Sequence, residues 1–112
     1  MLNGFRYAFR GLTVAWMKGK HFKIEVLSAL IVLVGGLFLQ LSTMDFMVLI
    51  LVISSVLATE TFNTALEELC DKFEPSHDPH IAKIKDLSAA AVLVTSLGAA
   101  GVGIIIFAPH IW

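Results

Sequence analysis

The alternation of polar and apolar positions divides the chain into one short two-sided segment and three long apolar ones. In residues 3–16, Phe5, Phe9, Leu12 and Trp16 recur at helical spacing, while Arg6 and Arg10 stand four residues apart. That is the pattern of a helix lying in the plane of a membrane surface, anchored by aromatic rings. Val26 to Met44 then carries no formal charge, and Phe46 to Thr59 carries none either. The second of these runs is too short to cross alone, so its helix must continue through Glu60 and is expected over 46–67. A third apolar run covers 87–108. A helix needs about 20 residues to cross a hydrocarbon core of ~30 Å, so the pattern predicts an interfacial amphipathic helix followed by three transmembrane helices. A cleavable signal peptide is not expected, because the span after the N-terminal cations is too long and no small-residue cleavage site follows it.

Composition agrees with this reading. With 57% hydrophobic and 15% charged residues among 112, the chain is too apolar for an ordinary soluble domain. It reads as an all-α integral membrane protein forming a single domain over residues 1–112. The lone Cys70 excludes an internal disulfide and has no zinc-type spacing. A net charge of −1 conceals strong segregation: Arg6, Arg10, Lys18, Lys20 and Lys23 precede the first span, and Lys72, Lys83 and Lys85 lie between the second and third. By the positive-inside rule the N-terminus and the 72–85 loop are expected in the cytoplasm, with the Ser42–Asp45 turn and the C-terminus outside. In the third span Ala91, Thr95, Ala99 and Gly103 recur every four residues, a small-residue seam of the kind that lets helices approach closely in lipid. Three short helices do not enclose a large site by themselves, so a homo-oligomer is expected.

The chemistry concentrates in ETFNTALEELCD, Glu60 to Asp71. At about 100° per residue, Glu60, Asn63, Glu67 and Asp71 fall within one stripe roughly 90° wide, just where the second apolar run ends. Acids at the end of a membrane helix are often only its solvated tip. Here, however, no cation interrupts the stripe before Lys72, and like charges four apart, as in Glu67 and Asp71, destabilise a helix. A bound divalent cation with oxygen ligands answers both points. Each acid at the bilayer centre would cost about 2.5–3.5 kcal/mol, which places the stripe at an interface or in a shielded intersubunit site. Two classes of function meet these conditions: an enzyme working on a lipid headgroup, and a small proton-coupled transporter using an acid as relay. The sequence has no P-loop, no protein-kinase signature and no Gly-x-Ser-x-Gly elbow. Enzyme chemistry would therefore rest on the acids, Asn63 and the adjacent Lys85 and Asp86.

ETFNTALEELCD resembles the signature of the prokaryotic diacylglycerol kinase family, which includes undecaprenol kinases. Further agreement comes from GLTVAW at Gly11 to Trp16, FKIE ending at Glu25, and AKIKDLSAAAVL, in which Lys85 and Asp86 open the third span. The resemblance implies a homotrimer with active sites shared between subunits, in the bacterial inner membrane with its site on the cytoplasmic face. It implies transfer of the γ-phosphoryl group of ATP, with Mg2+, to a membrane lipid alcohol, and no nucleic-acid partner. Carried over by position, Glu60 corresponds to the general base, Glu25 and Glu67 to the magnesium-holding acids, and Asn63 to their supporting amide. Lys85 and Asp86 match nucleotide contacts, to which Tyr7 and His77 are added, and Trp16 is placed at the lipid. Ser76, His77 and Asp78 stand where the family often has Glu-Tyr-His. FLQLSTMDF and GIIIFAP look like the undecaprenol kinase branch, whereas Glu25 looks like the diacylglycerol kinase branch; undecaprenol is the expected substrate and diacylglycerol the alternative.

Overall fold

The computed structural model describes residues 2–73 and 78–111, and these form four helices: α1 (Leu2–Lys18), α2 (Phe22–Phe38), α3 (Thr43–Phe73) and α4 (Pro79–Ile111). The bounds differ from those expected from apolar patterning alone, and each difference has a local cause. Rather than running to Met44, α2 stops at Phe38. There the Leu41 N–H donates to the Gly36 carbonyl at 3.1 Å and the Gln40 N–H to Leu37 at 3.2 Å, with Gln40 at φ 56°. This is a Schellman termination with glutamine in the left-handed position. Gly36 is needed beneath it, since a Cβ there would lie 2.9 Å from Leu41 Cδ1 and 3.0 Å from the Phe46 ring.

Ser42 starts α3 by accepting the Asp45 N–H on its hydroxyl at 3.1 Å. That helix then continues to Phe73, beyond the expected residue 67. The start of α4 lies eight residues ahead of the expected 87, because Asp78 accepts the His80 N–H on Oδ1 at 2.8 Å and Pro79 occupies the first helical position. Lys83, Lys85 and Asp86 therefore ride on a helix and not in a loop.

The central element is α3. Leu49 packs with Ile106 at one end, and Asn63 bonds Ser88 further along, so α4 runs antiparallel to α3. On α3 also rest α2 and the α1–α2 junction. That junction bends by 103° at Gly19–His21. A side chain at Gly19 would collide with the Ala15 carbonyl at 2.6 Å and approach Thr64 Oγ1 at 3.2 Å, so glycine lets the bend press against α3.

Helices α3 and α4 are each long and apolar enough to cross a membrane, while α2 meets that test only together with α1. Most large apolar side chains, including Ile31, Leu51, Val94 and Ile105, face outward, as lipid-facing residues do. A small apolar core of Leu41, Leu49 and Ile106, backed by Val32, Phe46 and Phe107, holds the end near the α2–α3 turn. In α3, Ser55, Thr59, Thr61 and Thr64 return their hydroxyls to the carbonyl four residues back, at 2.6–3.0 Å. Their polarity is thereby satisfied within the helix. The buried groups Glu60, Asn63, Thr64 and Ser88 lie away from the apolar core, towards the α1–α2 junction.

Candidate active site

Helical spacing brings the acids of α3 onto one face, and the neighbouring elements close around them. Glu60 is 1% exposed, and neither of its carboxylate oxygens has a hydrogen-bond donor. Glu25, in the first turn of α2, has a buried Oε2 with no donor and feels the Glu60 charge. A buried carboxylate next to a half-buried one is costly unless something cationic or a proton joins them.

One turn on, Asn63 donates through Nδ2 to Glu67 Oε1 at 3.3 Å and accepts the Ser88 hydroxyl on Oδ1 at 2.7 Å. Glu67 also lies 3.9 Å from Lys20 Nζ. At the end of the stripe, Lys85 Nζ meets Asp71 Oδ1 at 2.6 Å. The Lys18–Glu68 pair at 3.3 Å is exposed on both sides and contributes little to stability.

The sequence-predicted residues are thus distributed unevenly. Glu25 and Glu60 act on each other, and Asn63 joins Glu67. Lys85 pairs with Asp71 and not with Asp86, which is exposed; adjacent residues on a helix point about 100° apart. Tyr7 and Trp16 stay on the exposed α1, stacked by Arg10 at 5.8 Å and Lys23 at 5.6 Å respectively. Among the described residues, no hydrogen bond brings either into the acidic group, and His77 lies outside the described residues. Sequence reasoning missed Ser88. Its signal was its position three residues after Lys85, a shared face only once α4 is known to begin at Pro79.

Among the described residues, no three His, Cys, Asp or Glu side chains converge into a closed metal site. Three orphaned oxygens on Glu25 and Glu60 nevertheless form a hard, negative donor set. Magnesium typically takes one or two carboxylates together with phosphate oxygens and water, so the Glu25 oxygen fits a cation shared with a nucleotide and leaves the Glu60 carboxylate beside it to accept a proton. Beside them a groove of about 380 Å³ runs between α2, α3 and α4, from Glu25 past Ala29, Val32, Val52 and Val56 to Gly103.

Two apolar spans, with carboxylates gathered at one end beside an apolar groove, define a membrane protein whose polar chemistry is confined to one edge of its helical bundle. The sequence profile of prokaryotic diacylglycerol kinase matches residues 6–107. The chain belongs to that family and is a lipid kinase, with ATP as co-substrate. It is 30% identical over 107 residues to an undecaprenol kinase of Bacillus subtilis (strain 168), covering 96% of this chain and 87% of the relative. It is also 34% identical over 104 residues to a diacylglycerol kinase of Synechocystis sp. (strain ATCC 27184 / PCC 6803 / Kazusa), covering 92% of this chain and 59% of that longer protein. Neither relative is a transporter by name, and family membership removes the reason to read Glu60 as a transport relay.

Proposed function

We propose that this protein phosphorylates undecaprenol at the cytoplasmic face of a bacterial inner membrane, using MgATP, as a homotrimer whose subunits share active sites. The observation that carries this reading is the buried Glu60 carboxylate beside the half-buried Glu25, with three donor-less oxygens between them, where Glu25 lines an apolar groove. A lipid chain lying in the groove would bring its terminal hydroxyl to Glu25, which lines it, and towards the neighbouring Glu60 carboxylate. Glu60 takes the hydroxyl proton as the lipid oxygen bonds to the γ-phosphorus and the bond from that phosphorus to the ADP oxygen breaks. Glu25 and Glu67 would hold Mg2+, which neutralises phosphate charge when bound. Asn63 supports Glu67. Lys85 and Asp86 face the nucleotide, with Tyr7 and His77 as further contacts, and Trp16 lies by the lipid. In this arrangement α2 is the third crossing, and α1, set at 103° to it, lies along the surface.

Diacylglycerol is the second reading, favoured by Glu25 and by the Synechocystis relative. Purified protein given labelled ATP, magnesium and both lipids decides between them: phosphorylated diacylglycerol alone would overturn the undecaprenol assignment. The roles separate by mutation. Glu60→Gln is expected to lower turnover by about 10²–10⁴-fold with MgATP affinity kept, whereas Glu67→Gln and Glu25→Gln weaken nucleotide binding and shift its magnesium dependence. Equal loss of MgATP affinity in all three variants would move Glu60 into the cation site.

A further inference from the structure

Asn63 is a fork whose polarity is fixed by chemistry. An ionised carboxylate only accepts hydrogen bonds, so the amide nitrogen must face Glu67 Oε1, at 3.3 Å, and the amide oxygen must face Ser88 Oγ, at 2.7 Å. The Ser88 hydroxyl therefore donates. Asn63 and Ser88 are each 7% exposed, leaving little room for water to replace either partner. Lys20, at 3.9 Å from Glu67 with a 71% exposed side chain, is too distant to fix the carboxylate by a hydrogen bond. The orientation of Glu67 thus depends on Asn63, and that of Asn63 on Ser88 across the α3–α4 interface.

We propose that Ser88 is a positioning residue: acting through Asn63, it holds the Glu67 carboxylate in one rotation and keeps its second oxygen turned towards a divalent cation. The proposal rests on the reading of Glu67 as a cation ligand. Without the hydroxyl, the buried Asn63 oxygen loses its donor and the amide is free to turn. Once turned, it would set oxygen against oxygen at Glu67. Outer partners of metal ligands commonly govern affinity by 10–100-fold, and one further remove places the expected effect of Ser88 at about tenfold.

The test uses folded oligomers of the full chain in detergent, with Mn2+ binding measured by electron paramagnetic resonance in the presence of a non-hydrolysable ATP analogue. Ser88→Ala is expected to weaken Mn2+ about tenfold, and Ser88→Thr, which keeps the hydroxyl, to restore affinity. In an Asn63→Ala background the further change Ser88→Ala is expected to have no effect, because the path from Ser88 to Glu67 is already cut. Wild-type affinity in Ser88→Ala would overturn the proposal, as would an equal Ser88→Ala effect in both backgrounds, the signature of a general loosening of α3 against α4. If Ser88→Ala does not assemble, Ser88→Cys, a weak donor of similar size, takes its place with the same expected loss. Wild-type Mn2+ affinity in Glu67→Gln would instead remove Glu67 from the cation site, and the proposal with it; Glu67→Gln weakened beside an unaffected Ser88→Ala would remove Ser88 alone.

Discussion

Gln40 occupies a backbone conformation that costs an L-residue about 1–2 kcal/mol, and at φ 56° it does so where helices usually place glycine. Gln40→Gly is expected to stabilise the protein, by about 0.5 kcal/mol once the extra freedom of glycine in the unfolded chain is subtracted. A higher thermal midpoint in detergent would show this; a lower one would mean that the exposed glutamine side chain holds the turn by a contact of its own. At the same scale, Glu60, Asn63 and Glu67 were legible in the sequence, because helical spacing turns positions three and four apart into neighbours. Ser88 was not, since its partner lies 25 positions away and its face depends on where α4 begins. The pairing of Lys85 with Asp71 was hidden for the same reason: spacing within one helix says nothing about the register between two.

Among the elements, the apolar runs revealed the existence of the helices, while capping chemistry set their ends. Asp78 followed by Pro79 is a legible helix start, but an apolar window passes over it because Lys83, Lys85 and Asp86 interrupt the first two turns of α4. The small residues of α4 have a clearer meaning in the structure. A Cβ added at Gly98, Gly101 or Gly103 would meet nothing within 4 Å, so packing within one chain does not require glycine there. If the seam serves contact between subunits, Gly103→Leu should weaken oligomers in crosslinking or sedimentation experiments while leaving the helical content of each chain intact. Unchanged assembly would place the subunit interface on another face.

For the whole molecule, Lys18 reaching Glu68, Lys20 reaching Glu67 and Lys85 reaching Asp71 gather the basic segments at the acidic end of α3. If that end is cytoplasmic, a cysteine replacing Thr43 at the opposite tip should be labelled from outside the cell, and labelling from the cytoplasm alone would invert the topology. The helices are also unequal: α2 has 17 residues, whereas α3 has 31 and α4 has 33. Along an upright α3, Glu60 stands about 26 Å from Thr43, at 1.5 Å per residue. That is close to the full depth of a bilayer's hydrocarbon layer. A hydrocarbon layer thicker than this height submerges the carboxylates, at about 2.5–3.5 kcal/mol for each charged group at full depth, and a thinner one strips lipid from the apolar face of α2. If Thr43 and Glu60 stand at the two surfaces, turnover in vesicles of increasing acyl-chain length is expected to pass through a maximum, and a flat profile would show that the helices tilt to absorb the mismatch.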